Sequence, residues 1–261
     1  MSEPPGHLSP DDLRMSALLT ATAEAETSHF WFLGFRRFVR PFLDAAAQGR
    51  RDLMIADCGA GTGHNLLLLQ PYGAVVGIEL NRLGALVARD RGERRLVRGT
   101  VTSLPLRSAS IDLATSFDVL YCLPDPAERA ALDEMYRVLK PGGRVLINVA
   151  ANPRLAGEHA DLTHEVRRYT RAGLIGALDR AGFRTLRATY SNAATFPLVA
   201  AVRMLQRRGV LRGSGGRARD IETPAAPINT ALSAALAVEA GLLRVMNMPF
   251  GSSLLALGEK R

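Results

Sequence analysis

A chain of 261 residues, 47% of them hydrophobic, can bury one large α/β core with an elaborated cap, and this composition excludes general disorder and collagen-like repetition. The formal net charge of +8 is carried almost wholly by arginine, since lysine occurs only at 140 and 260. That balance suits nucleic acid, an anionic membrane surface or an acidic substrate, and it equally suits a genome whose base composition favours arginine codons.

Cys58 and Cys122 are the only cysteines and have no metal-ligand spacing, so a reducing cytoplasm and no metal are expected. The opening residues, MSEPPGHLSPDDLRM, lack the basic and apolar regions of a secretory signal. The uncharged run from Ala188 to Val202 is too short and too polar to span a bilayer. The protein is therefore expected in the cytoplasm, at most peripheral to a membrane.

Residues 11–48 read as helical, with the aromatic cluster HFWFLGFRRFVRPF in their middle, and form an N-terminal helical cap over 1–50. From Asp52, short apolar runs alternate with helical patterns, which is the signature of βαβ units around a mostly parallel sheet. Strands are predicted at 52–57, 74–79, 95–98, 111–116 and 144–150. A helix over 128–139 is stopped by LKPGG. A polar loop of about twenty residues follows, then the helix TRAGLIGALDRAGF and the strand FRTLRATY.

Residues 193–208 and 228–247 read as helices joined by GSGGRARD and ETPAAP, and SSLLALGEK closes the chain as a strand. The division expected is a Rossmann-like domain over 51–192 plus 250–261, interrupted by a helical insertion over 193–249.

The chemistry starts at DCGAGTG, residues 57–63. Glycines between a buried strand and a helix allow a tight turn and close backbone approach to a ligand, and the helix that follows presents N–H groups to negative charge. A lone G-x-G-x-G matches many turns by chance. Here VVGIEL adds Glu79 at the end of the second strand, where a carboxylate can accept hydrogen bonds from both hydroxyls of a ribose. Asp57 can hold the turn's amides or a ligand ammonium; local backbone capping is the alternative for both acids. The spacing 59, 61, 63, followed by His64 and Asn65, departs from the G-x-G-x-x-G of dinucleotide-binding enzymes.

DCGAGTG, Glu79, GTVTSLPLRSASIDLATSFDVL and EMYRVLKPGGRVLINV together resemble class I S-adenosylmethionine-dependent methyltransferases, in their small-molecule, type 11-like branch, over roughly residues 50 to 190. The resemblance implies a seven-stranded, mostly parallel sheet whose last strand is antiparallel, with S-adenosylmethionine as cofactor and no metal. It assigns the cofactor to Asp57, Gly59, Ala60, Gly61, Gly63, Glu79, Leu80, Thr100, Val101 and Phe117. Where relatives offer an aspartate to the adenine amino group this chain has Thr100, and where many carry Glu-His it has Tyr121-Cys122. The segment HFWFLGFRR is shared with one subgroup, in which Trp31 would close over the cofactor and Arg36 would pair with its carboxylate.

Methyl transfer requires orientation and a dry pocket more than acid–base power, and a base only if the acceptor is protonated. The acceptor is expected beyond the carboxyl ends of the fourth and fifth strands, near Asp118 and the loop GEHADLTHEVRRYT. Candidate catalytic residues are His159, His164, Asp118 and Tyr169; Arg167 and Arg168 are candidates for an acceptor carboxylate or phosphate. Surface placement is the alternative for both histidines, and a solvated helix start for both arginines. The expected partner is a small molecule, hydrophobic or lipid-linked if the insertion is a lid, with membrane contact if its basic face lies on lipid. Nucleic acid is disfavoured and oligomerisation is left open. RNA or protein methylation, and a cofactor-binding protein that transfers no methyl, remain the alternatives.

Overall fold

The computed structural model describes residues 19–153, 165–197 and 223–261. Its sheet is built from the apolar runs that alternate with helices: β1 (Leu53–Cys58), β2 (Gly73–Glu79), β3 (Leu96–Arg98), β4 (Ile111–Phe117), β5 (Leu139–Ala150), β6 (Phe183–Ser191) and β7 (Ser253–Lys260). The order is β3-β2-β1-β4-β5-β7-β6, with β7 antiparallel to both of its neighbours and the remaining pairs parallel. Parallel strands need crossovers and are covered on both faces. That is why β4 buries every residue but Asp112, and β5 buries the run Val145–Val149.

The helices are α1 (Phe30–Ala47), α2 (His64–Leu69), α3 (Arg82–Asp90), α4 (Asp125–Val138), α5 (Arg171–Arg180) and α6 (Ala226–Leu242). One core layer packs Phe38, Phe42 and Leu43 of α1, with Leu236 of α6, on Ile55, Leu113, Leu146 and Leu255. The other packs Leu132 and Met135 of α4 and Leu174 and Leu178 of α5 on Ala56, Val145 and Ile147.

The N-terminal helical run divides in two. Residues 19–25 are helical, 26–28 turn, and α1 restarts at Phe30 because His29 caps it, Nδ1 accepting from the Trp31 amide at 3.1 Å. Strand β5 begins at Leu139, not at 144. Ile111 pairs with Leu139 but Leu113 pairs with Arg144, so KPGG is a bulge inside the strand rather than a break before it. Of the helix expected over 193–208, 193–195 form a turn, 196–197 are helical, and the rest lies outside the described residues.

Helix α6 lies along α1. Leu236 fills the notch at Gly34, where an added Cβ would stand 2.5 Å from Leu236 Cδ1. Asn229 Oδ1 accepts from the Phe30 amide at 2.8 Å, and its amide group donates to the Ser28 carbonyl at 2.9 Å. Glu239, buried on the same side, accepts from the amides of Ala193 and Ala194 at 3.0 and 2.9 Å. Among the described residues, no helix is long and apolar enough to cross a membrane.

Gly73 starts β2 at φ +152°, where a Cβ would stand 2.0 Å from the Leu53 carbonyl oxygen. Gly92, at φ +84°, has nothing within 4 Å. Gly73→Ala is therefore expected to cost about 3 kcal/mol or more in urea unfolding, and Gly92→Ala only about 1 kcal/mol, from backbone strain alone. Equal costs would contradict the register of β1 against β2.

Candidate functional site

The strand order reverses between β1 and β4, and a crevice outside the carboxyl ends is expected there. The glycine turn sits at this point. The Gly59 and Ala60 amides donate to the Ile78 carbonyl at 2.8 and 3.0 Å, tying the turn to β2. Gly59, Gly61 and Gly63 all have positive φ (92°, 56° and 77°), but their surroundings differ. A Cβ at Gly59 would meet Val119 Cγ2 at 2.3 Å, and one at Gly63 would meet Ala88 Cβ at 2.9 Å. Those two glycines make room for the chain itself. At Gly61 a Cβ would meet no clash, its nearest neighbour being Leu19 Cδ2 in ordinary contact at 3.7 Å.

Two acids stand at the strand ends beside the turn. Glu79 Oε2 accepts from the Gly61 amide and Oε1 from the Asn81 amide, each at 2.7 Å. Asp57 is buried: Oδ1 accepts from Thr115 Oγ1 at 2.7 Å, while Oδ2 has no partner. Burial pushes the Asp57 carboxyl up to about 7; the Thr115 hydrogen bond opposes this and the Glu79 charge adds to it.

Residues 19–29 lie against the turn, and here sequence reasoning missed a cluster. Glu26, buried, accepts from Thr62 Oγ1 at 2.7 Å and pairs with Arg91, while His64 Nδ1 stands 3.9 Å from it. Arg91 also donates to the Ala23 carbonyl at 2.7 Å, and Arg36 to the Glu26 carbonyl at 2.7 Å. Burial lowers the pKa of His64, against the pull of Glu26. The sequence signal was slight: two acids, Glu24 and Glu26, ahead of the aromatic cluster.

The other cofactor candidates are distributed unevenly. Trp31 stacks on Phe35 within α1 (6.0 Å, 10°), and Phe117 packs edge-on to Phe35 (5.1 Å, 76°), which joins β4 to α1. Thr100 Oγ1 is 2.9 Å from Thr102 Oγ1, a local turn contact. Val101 is buried and Leu80 exposed.

Beyond β4, Asp118 takes φ +62°, a strained value for a residue with a side chain. Its amide donates to the Asn148 carbonyl at 3.0 Å, and Asn148 Nδ2 donates to Asp118 Oδ1 at 2.9 Å. Burial pushes its carboxyl up to about 7. Residues 165–169 close this edge, Val166 donating to the Tyr121 carbonyl and Tyr169 to that of Ala150, both at 2.9 Å.

Arg168 pairs with Glu165 at 2.8 Å, and Arg167 pairs with Glu128 and Asp125 at 2.7 and 2.6 Å. Tyr169 donates to Glu128, which raises its pKa further above the value that burial sets. Arg167 and Tyr169 thus face the acids of α4 and line a cavity of about 440 Å³ between α4 and α5. His159 and His164 lie outside the described residues. Among the described residues, no cluster suits a metal ion.

Residues 56–147 match the family model of the methyltransferase domain. Over this part the chain is similar to class I S-adenosylmethionine-dependent methyltransferase domains. The domain is 36% identical over 115 residues to a ubiquinone/menaquinone biosynthesis C-methyltransferase of Syntrophotalea carbinolica, covering 40% of this chain and 47% of that one. It is 34% identical over 131 residues to a tRNA (carboxymethyluridine(34)-5-O)-methyltransferase of Arabidopsis thaliana, covering 49% and 31%. The chain spans less than half the length of these relatives. In fold it is similar to a methyltransferase of Thermotoga maritima described as a possible histamine N-methyltransferase, with TM-score 0.58 and 21% identity over 95% of this chain and 100% of that one.

The methyltransferase site can be tested against S-adenosylmethionine residue by residue. The buried, unpartnered Oδ2 of Asp57 fits an ammonium, directly or through water. Glu79 has spent one hydrogen bond on each oxygen and keeps lone pairs for a ribose diol. Gly61 adds no side chain of its own beside Glu79. The cofactor fits.

Folded Asp57 keeps its proton up to about pH 7, whereas an unfolded aspartate loses it near about 4. Between those values the folded state binds more protons, so stability falls as pH rises. Thermal or urea unfolding of ligand-free protein should lose on the order of 1 kcal/mol per pH unit from pH 5 to 7, and Asp57→Asn should flatten part of that slope. A stability that rises over this window would contradict the burial of Asp57.

Proposed function

We propose that this domain transfers the methyl group of S-adenosylmethionine to a small-molecule acceptor in the cytoplasm. The observation that supports it best is the buried, unpartnered carboxylate oxygen of Asp57 at the reversal point of the strand order, one strand from Glu79, whose carboxylate holds the Gly61 amide. When bound, the cofactor supplies an electrophilic methyl group on a sulfonium.

The rest is the work of the chain. Asp57 holds the amino-acid end and Glu79 the ribose; Val101 offers a buried apolar wall to the base. Segment 19–29, pinned by Glu26 to Thr62 and Arg91, shields the turn from water. Arg36 bonds the Glu26 carbonyl, so it braces this segment; it would pair with the cofactor carboxylate through its remaining N–H groups.

On the acceptor side, Asp118 is the group suited to take a proton. Its Oδ1 is held by Asn148, and a carboxyl poised near 7 is half in the basic form at neutral pH. An acceptor hydroxyl or amine placed against Asp118 would pass its proton to the carboxylate as the new bond to carbon forms. Arg168, already neutralised by Glu165, is better placed to shape the site than to bind an anion.

Calorimetry with S-adenosylhomocysteine tests the cofactor reading. The wild-type protein is expected to bind, and Glu79→Ala to weaken binding about 100-fold, because two hydrogen bonds to a charged acceptor are lost. Absence of binding to wild-type protein would remove the proposal. Incubation with methyl-labelled cofactor and a cell extract is expected to place label in the small-molecule fraction, and Asp118→Asn to reduce that label at least tenfold. Label confined to RNA would favour the activity class of the plant relative instead.

A further inference from the structure

Helix α6 carries apolar residues on both its inward and its outward side. Its inward residues, Leu236, Ala240 and the following Leu243, are buried against α1 and the sheet. A second stripe, Ile228, Ala231, Ala235, Val238, Leu242 and Val245, runs at three- and four-residue spacing along the opposite side. Ile228, Val238 and Val245 are 56%, 67% and 84% exposed. The one ionisable residue of α6, Glu239, points inward and is consumed by two amides. A helix that is hydrophobic all round is ordinarily covered all round, and here the outer face is open.

Charge decides what would cover it. Arg37, exposed on α1, reaches the α6 carbonyl of Ser233 at 3.1 Å, and Arg244 is exposed just past the helix end. The whole chain carries +8. A second copy of the chain would bring this cationic rim against another of the same sign. An anionic lipid surface satisfies both features at once, taking the valine and leucine side chains at the acyl boundary and the guanidinium groups at the phosphates.

The position of the face agrees with this. From Val245 the chain runs through exposed Met246 to Phe250, which lines a cavity of about 220 Å³ with Asn152, Pro153 and Tyr190. That cavity lies where β5 and β6 end, on the carboxyl edge that also carries Asp118.

We propose that the outer face of α6, flanked by Arg37 and Arg244, docks on an anionic lipid surface. The proposal does not depend on methyl transfer. It is tested with the full chain by cosedimentation with vesicles of phosphatidylglycerol and phosphatidylcholine, and with vesicles of phosphatidylcholine alone. Two double variants are compared with wild type: Val238→Asp with Val245→Asp, and Arg37→Gln with Arg244→Gln. Light scattering and thermal melting are recorded for each.

Wild-type protein should partition onto the anionic vesicles at least about tenfold better than onto the neutral ones. Each double variant should lose about tenfold of that partition, with the melting temperature within about 2 °C of wild type, as for surface substitutions. Four results would each overturn the proposal: no partition, equal partition on both vesicles, partition that survives both variants, or a wild-type dimer that the valine variant makes monomeric. A fall of about 5 °C or more in the valine variant would do the same, showing that the face is covered within the chain itself.

Discussion

Asp57 sits in the interior with one carboxylate oxygen bonded to Thr115 and the other bonded to nothing. A buried, unmatched acceptor is costly, and a protein keeps one only where something else relieves the cost. The rest of the carboxyl edge can be understood from that constraint. β1 ends at the reversal point of the sheet, so Asp57 is delivered to the one place where neighbouring crossovers leave a crevice. Glu79, one strand away, fixes the glycine turn through the Gly61 amide and adds negative charge close by. A ligand that is cationic at one end and carries hydroxyls further along suits both groups.

The glycine turn shows how one sequence feature can have three causes. Gly59 yields to Val119 and Gly63 to Ala88, so both are required by packing within the chain, whereas at Gly61 a Cβ would make only ordinary contact with Leu19. The N-terminal segment adds a second layer. Its buried Glu26, matched by Arg91 and Thr62, attaches residues outside the sheet to the turn that the sheet positions.

The strands were legible in the sequence because buried parallel strands are short, apolar and punctuated by turn residues. β1, β2, β3, β4, β6 and β7 fall within a residue or so of the runs that predicted them. β5 was misjudged at its start because a proline and two glycines ordinarily end an element, whereas here they form a bulge that the β4 register absorbs. Asp57, Glu79 and Asp118 were legible through strand ends and motif order. Glu26, Arg91 and Asn148 were not. Their roles arise from pairs separated by up to 65 residues, and no local pattern marks such a pair. Phe117 also packs edge-on against Phe35 of α1, a contact between distant residues that no local pattern marks.

The account is tested most directly by a crystal structure of the protein with S-adenosylhomocysteine. The amino group should lie about 3 Å from Asp57 Oδ2 or be joined to it by one water, with the ribose hydroxyls on Glu79 and the chain of the ligand passing over Gly61. A ligand bound elsewhere, or an Asp57 Oδ2 that remains enclosed by protein and unbonded while the ligand is in place, would contradict it.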